Sequence, residues 1–439
     1  VRRASAPPFL QDNLEIIMTV NSFPTDRAFD KICMVGLGYI GLPTAAVMAS
    51  RQLNIVGLDV TPHVVDTINQ GKIHIVEPHL EDYVKEAVDK GYLRATLTAE
   101  PADAFMIAVP TPIDANKKSD LAYVMSAGKA IAPVLKKGDL VILESTSPVG
   151  ATERLLAALA AARPDLAFPV RGQEGCDVHI AYCPERVLPG KVVEELVSND
   201  RAIGGMTKAC TERAMALYSL FVDGTLFPTD TRSAELCKLA ENAFRDVNIA
   251  YANELANVCE GLDMNVWEVI HLANRHPRVN ILQPGPGVGG HCIAVDPWFI
   301  AEVAPDDTPL IQAARYVNDG RPQRVVDRMK AACAALGKDE KDIVVACYGL
   351  AFKPDIDDLR ESPSLEIARE IARSHKGKVL VVEPNVEAGA TPVEGATLVD
   401  MGEAYAQADV HALLVDHKEF KAAKAPRGAI VDVKGIWKQ

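Results

Sequence analysis

The stretch Ile32-Cys33-Met34-Val35-Gly36-Leu37-Gly38-Tyr39-Ile40-Gly41 constrains this chain more than any other. It joins a short apolar run to three glycines at the spacing of a strand, a tight turn and a helix. Gly36 permits the turn, Gly38 lets backbone approach a pyrophosphate, and Gly41 lets helix and strand pack closely. The first amides of that helix, around Tyr39 and Ile40, would then face the phosphates. Asp59 closes the next apolar run, where a carboxylate accepts from a ribose 2′-hydroxyl and repels a 2′-phosphate, so NAD is expected rather than NADP. Thr111 and Thr146 each follow a later strand, at the carboxyl edge where such sheets bind ligands; either reads also as an ordinary loop hydroxyl.

From Lys31 onward, short runs rich in β-branched residues alternate with helical stretches, the pattern of a parallel sheet with crossover helices. Strands are expected at 31–35, 54–58, 104–108, 140–144 and 178–182. A long helix is expected over 233–261, with Ser233 as its N-cap and Gly261 as its stop. Its apolar side would carry Leu236, Leu239, Ala240, Ala243, Val247, Ala250 and Leu255. A second series begins near Asp342, with apolar runs at 343–352, 379–384, 409–416 and 429–433 and a helix at 364–373. The expected fold class is α/β: two Rossmann-like doubly wound parallel-sheet domains joined by a helical middle segment with one long helix. The expected divisions are a disordered extension at 1–30, a dinucleotide domain at 31–205, a helical centre at 206–318 and an α/β domain at 319–439. Within the extension, Met18 is a candidate initiator.

A net charge of -13, with no Lys/Arg block, gives no footprint for a nucleic acid backbone. The nine cysteines are scattered and never in a CxxC spacing, which speaks against a disulfide framework and a structural zinc site and points to a reducing cytoplasm; no metal is expected. Apolar runs are far shorter than the roughly 20 residues that cross a bilayer.

The segment Gly285-Pro286-Gly287-Val288-Gly289-Gly290-His291-Cys292 places a thiol after a glycine-rich loop, followed by Asp296. A thiol beside backbone donors and cations is held partly as thiolate, whereas Cys33 and Cys347 read as small buried side chains. On the long helix, Lys238, Asn242 and Arg245 share one face. They read either as a solvated polar stripe or as a lysine and an amide aimed at one oxygen.

GLGYIGLP, AVPTP, ESTSPVGAT, AYCPERVLPG, LCKLAENAFRDVNIAYANE, NRHPRVNILQPGPGVGGHCIAVDP and GLAFKPDIDDLRESP, in that order, resemble the UDP-glucose/GDP-mannose dehydrogenase family from Lys31 nearly to the C-terminus. CPERVLPG and the run through VDPW resemble the branch that acts on UDP-N-acetylmannosamine. Where other branches carry a Phe-Pro-Lys-Asp run after the cysteine, this chain has Ile293-Ala294-Val295-Asp296 and so lacks that lysine.

The resemblance implies a four-electron oxidation of a sugar C6 alcohol to a carboxylate with NAD. Cys292 would be the nucleophile and Lys238 the proton acceptor, through water held by Asp296. Lys238 and Asn242 would stabilise an oxyanion, and Glu185 would position the hydrolytic water. Arg186, Val187, Arg245, His276, Arg278, Gly289, Phe352 and Lys353 would line the sugar nucleotide site, and Arg360 would reach the cofactor. Family architecture further implies a homodimer paired through the long helix, with the Arg278 loop entering the neighbour's site, and a product destined for a surface polysaccharide. Rival readings are a two-electron hydroxy acid or polyol dehydrogenase in which Cys292 is incidental, and a dinucleotide-sensing binding protein. UDP-N-acetylglucosamine, UDP-glucose and GDP-mannose are the alternative substrates.

Overall fold

A computed structural model describes residues 29–173, 175–188, 190–290, 292–387 and 389–437. The candidate initiator Met18 and the expected disorder of 1–28 lie outside these residues. The remaining two residues of the extension are ordered parts of the fold: Phe29 is buried beneath the Arg213 guanidinium, 4.2 Å from its ring centre, and the Asp30 amide donates to Asp103. The chain divides between Ala240 and Glu241 into two compact units.

The first unit holds eight strands: β1 (Ile32–Val35), β2 (Ile55–Leu58), β3 (Leu93–Thr96), β4 (Ala104–Ile107), β5 (Leu140–Leu143), β6 (His179–Tyr182), β7 (Arg201–Gly205) and β8 (Leu226–Asp230). Their order across the sheet is β3-β2-β1-β4-β5-β6-β7-β8. Register runs Ile32 to Ile55 on one side of β1 and Ile32 to Ala104 on the other. All pairs are parallel except β6 with β7. The sheet is covered on both faces, which is why its strands read as continuous apolar runs. Met34, Met106 and Ile142 enter one core with the Gly41–Ser50 helix, while the alternate residues Val35, Ile107 and Leu143 enter the other. The five expected strands are all present. The sequence reading missed β3, β7 and β8, and the last of these carries the sheet beyond residue 205 as far as Asp230.

In the second unit, β9 (Val345–Tyr348), β10 (Val379–Val382), β11 (Thr397–Leu398), β12 (Val410–Leu413) and β13 (Ala429–Asp432) form a parallel sheet ordered β11-β10-β9-β12-β13. Val345, Cys347, Val379 and Val381 pack with Val325, Val326 and Met329 on one face, and Tyr348, Leu380 and Leu413 pack with Phe420 and Trp437 on the other. This is the expected α/β class, with one correction: the helical segment contains two long helices. One spans Thr231–Gly261 and the other Pro309–Ala335, passing unbroken through residues 318 and 319.

The helix Thr231–Gly261 departs from expectation at both ends. Its cap is Asp230, whose carboxylate accepts from the amides of Arg232 and Ser233 and from the Ser233 hydroxyl, so Ser233 lies inside the helix. At the other end the left-handed residue is Asp263, with φ 54°, rather than Gly261. Leu239, Ala243 and Ala250 are buried as expected, whereas Leu236 and Ala240 are exposed. Among the described residues no helix is long and apolar enough to cross a membrane.

Candidate active site

In the first unit the strand order reverses at β1 and β4, the switch point at which open α/β sheets bind ligands beyond their carboxyl ends. Gly36 has φ +90°, and a Cβ there would lie 2.5 Å from the Ala108 carbonyl oxygen. A Cβ on Gly41 would lie 1.8 Å from the Gly36 carbonyl oxygen, so the helix meets the turn at a distance only glycine permits. Gly38 differs: it is exposed, and a Cβ there would meet nothing within 4 Å. The first and third glycines are thus required by packing, while the second leaves the backbone open to a ligand.

Asp59 follows β2 with its carboxylate fixed by backbone. One oxygen accepts from the Leu37 amide at 3.0 Å and the other from the Thr61 amide at 2.9 Å. Those bonds tie the acidic residue to the glycine turn and leave it half-buried. Beyond β4 and β5 the Thr111 hydroxyl donates to the Thr146 carbonyl at 2.5 Å, and the Val109 amide donates to the Ser145 hydroxyl at 2.9 Å. The two expected threonines are therefore brought together, with the Thr111 proton committed to the neighbouring loop. Tyr39 is exposed in the turn that opens the helix. This edge of the sheet fits a dinucleotide: a backbone cradle, helix amides and a held carboxylate.

Farther along the same edge lies a buried cluster. Glu185 accepts the Arg201 guanidinium at 2.7 Å and the Arg186 amide at 2.6 Å. Arg201, itself buried, also donates to the Leu196 carbonyl. Glu144 directly follows β5, is buried, and accepts the Tyr218 hydroxyl at 2.5 Å. Burial first, and the Glu185 charge second, push its carboxyl up to about 7. Arg186 is half-buried and donates to the Asp200 carbonyl, and Val187 packs against the core. Glu144, Arg201 and Tyr218 were not singled out in the sequence; ESTSP offered Glu144 as a signal, but its partners lie on other elements.

The second unit presents Cys292 as an exposed thiol, in contrast to Cys33 and Cys347, which burial pushes up to about 12. The Cys292 carbonyl accepts the amides of Val295 and Asp296, closing a turn into the helix Asp296–Val303. Asp296 is buried and accepts the Asn242 side-chain amide at 2.5 Å. Asn242, also buried, is thus joined to the turn that carries Cys292. Lys238, one helical turn before Asn242, is half-buried, whereas Arg245 is exposed.

The loop before Cys292 is held by groups that the sequence reading missed. The Gly285 amide donates to Asn253 at 2.9 Å and its carbonyl accepts from Arg321 at 3.1 Å. Asn253 donates to Asn318 at 2.9 Å. Asn318 in turn donates to Asp246 at 2.8 Å, and Asp246 also receives Arg315 at 2.6 Å. Arg315 reaches Asp319 as well. Arg315, Asn318 and Arg321 recur along one helix and Asp246 and Asn253 along the other, all buried. Polar residues at helical spacing on an expected apolar face are the signal that could have disclosed them.

Gly289 needs no ligand to explain it: a Cβ there would lie 2.4 Å from the Glu361 carbonyl oxygen and 2.5 Å from Pro363. Gly290 packs against the Phe352 ring. Phe352 and Lys353 are half-buried in that neighbouring segment, where Arg360 is exposed and forks onto Asp358 at 2.9 and 2.7 Å. His276 and Arg278 are exposed on a loop that Asn274 clips shut through the amide and carbonyl of Ile281.

These features meet in known proteins. Family models match in order: the NAD binding domain of the UDP-glucose/GDP-mannose dehydrogenase family over residues 30–222, its central domain over 232–320 and its UDP binding domain over 346–439. The chain therefore belongs to the UDP-glucose/GDP-mannose dehydrogenase family, as an NAD-dependent nucleotide-sugar dehydrogenase. It is 59% identical over 419 residues to the UDP-N-acetyl-D-mannosamine dehydrogenase of Yersinia pestis, covering 94% of this chain and 100% of that one. It is 57% identical over 419 residues to the NDP-N-acetyl-D-galactosaminuronic acid dehydrogenase of Ralstonia nicotianae, covering 94% and 98%. A solved UDP-D-ManNAc dehydrogenase from Pyrococcus horikoshii superposes with a TM-score of 0.83 at 37% identity, over 93% of this chain and 96% of that one.

Proposed function

We propose that the chain oxidises the C6 alcohol of UDP-N-acetyl-D-mannosamine to the carboxylate through covalent attachment to Cys292. The observation that carries this reading is an exposed thiol on a turn joined through Asp296 to the buried amide of Asn242. Bound NAD supplies the electron acceptor for both oxidations. Lys238 takes the hydroxyl proton in the first, through water held by Asp296. Cys292 then adds to the aldehyde as thiolate, and Lys238 and Asn242 donate to the thiohemiacetal oxygen. The second oxidation leaves a thioester, which water positioned by Glu185 opens to the acid.

Asp59 and the open backbone at Gly38 hold the dinucleotide, with Tyr39, Ile40, Thr111 and Thr146 around it; Arg360 joins them by exchanging Asp358 for the cofactor. Arg186, Val187, Arg245, His276, Arg278, Gly289, Phe352 and Lys353 bind the sugar nucleotide, the arginines by forked bonds to its diphosphate. The domain plan we adopt remains dinucleotide domain, helical centre and nucleotide-sugar domain.

A homodimer is part of this proposal. Phe244, Tyr251 and Val258 stand 69%, 53% and 52% exposed at heptad spacing on the long helix, an apolar stripe that supports pairing with a second copy. The enzyme would work in the cytoplasm and supply a uronic acid donor for a surface polysaccharide.

The relative named for N-acetyl-D-galactosaminuronic acid supports a second reading, the same chemistry on the corresponding UDP-N-acetylgalactosamine. A panel of this donor, UDP-N-acetylmannosamine, UDP-N-acetylglucosamine, UDP-glucose and GDP-mannose, followed by NADH absorbance, tests the assignment. UDP-N-acetylmannosamine is expected to have the highest kcat/KM; a higher value for any other donor replaces it.

A further inference from the structure

Three side chains outside the active site converge at the amino end of β6. Cys176 precedes the strand, His179 is its first residue, and Cys210 sits in the first turn of the helix Lys208–Tyr218. One ligand atom from each lies within 4.8 Å of the others. The Cys176 sulfur is 3.6 Å from His179 Nδ1. A tetrahedral zinc, with bonds of about 2.3 Å to sulfur and about 2.0–2.1 Å to nitrogen, sets those two atoms about 3.5 Å apart. The chain also provides the surrounding bonds that such a centre uses. The Thr207 hydroxyl donates to the Cys210 sulfur at 3.2 Å and the Ile180 amide donates to it at 3.4 Å, the contacts by which a metal-bound thiolate is oriented and its charge spread.

We propose that Cys176, His179 and Cys210 form a zinc site that fastens the amino end of β6 to the following helix. Two thiolates and an imidazole are a borderline-soft donor set suited to zinc, and water completes the tetrahedron on the side where Cys176 and His179 are half-buried rather than enclosed. Binding displaces both thiol protons to solvent and involves no change of oxidation state. The scattered cysteine spacing hid this arrangement, because His179 and Cys210 are brought together only by the crossover between β6 and that helix. The site stands at the opposite end of β6 from Glu185, six residues and about 20 Å of extended chain away, so its role is to stabilise and not to react.

The test uses the full chain carrying Cys292→Ser, which removes the exposed thiol from competition. After chelation under reducing conditions, this protein is titrated with Co2+. One Co2+ per chain is expected, with thiolate charge-transfer and tetrahedral d–d absorption, displaced by one Zn2+. Adding Cys176→Ser, at a half-buried position, or His179→Gln should weaken cobalt binding by at least about 100-fold and abolish the rise in Tm that Zn2+ produces. Absence of cobalt binding at micromolar concentrations overturns the proposal. So do an absorption that both substitutions leave unchanged, and a Cys176–Cys210 disulfide that forms on oxidation in protein that takes up no metal when reduced.

Discussion

The dinucleotide turn of the first unit and the Cys292 loop of the second are both rich in glycine, yet they are held by different means. Gly36 and Gly41 are fixed by backbone pressing on backbone, Gly36 against Ala108 and Gly41 against Gly36, and Asp59 is fixed by two amides. The Cys292 loop is fixed by side chains: Asn253 and Arg321 grip Gly285, Asn242 meets Asp296, and the Phe352–Pro363 segment covers Gly289 and Gly290. A backbone-built site tolerates substitution around it. A side-chain-built site depends on residues distant in sequence that touch no substrate.

Arg315→Ala is the most forceful way to break this contrast. It leaves the Asp246 carboxylate buried without its guanidinium, at a cost of about 3–5 kcal/mol. Chemical denaturation should show that loss, and turnover should fall with it, while NAD affinity stays within about twofold. An equal loss of NAD affinity would erase the distinction.

Glu144→Gln sharpens it, because Glu144 is a buried carboxyl beside the backbone-built edge. Its folded form keeps a proton up to about 7, whereas the unfolded chain releases it near 4.5. Stability from this group is therefore full below pH 4.5 and declines as pH rises toward 7, by roughly 3 kcal/mol. The Gln variant should lose that decline and be the more stable protein at pH 8, as measured by denaturant melts across pH. Parallel pH profiles for both proteins would discard the assignment.

Asp59→Asn should have the smallest effect. Removing the charge that repels a 2′-phosphate should shift the NAD to NADP preference by about tenfold in kcat/KM, with little change in Tm. An unchanged preference would mean that another group selects the cofactor.

The same contrast accounts for what could be read without a structure. Gly36, Gly38, Gly41 and Asp59 were legible because turn, helix start and strand end are consecutive, and five strands of the first sheet were legible because burial on both faces leaves them almost wholly apolar. The edge strands β3 and β8 were not, since exposed positions such as Arg94 and Phe227 interrupt the apolar pattern, nor was β7, whose short run opens on Arg201 and ends on Gly204 and Gly205. Cys292 stood out by its loop, but Asp246, Asn253, Arg315, Asn318 and Arg321 acquire meaning only when two long helices lie side by side. Asp230 displaced Ser233 as the cap because a carboxylate three residues earlier accepts from the Arg232 and Ser233 amides and from the Ser233 hydroxyl itself. Gly289, expected at the ligand site, also has a packing reason that the sequence did not show, since Glu361 and Pro363 leave no room for a Cβ.

The covalent role of Cys292 is tested most directly by counting NADH against uronic acid with UDP-N-acetylmannosamine as the limiting reagent and NAD in excess. Two NADH per acid are expected from the native chain, and Cys292→Ala should form acid at least about 1000-fold more slowly. One NADH per sugar, or an alanine variant that still delivers two at the native rate, would contradict the account.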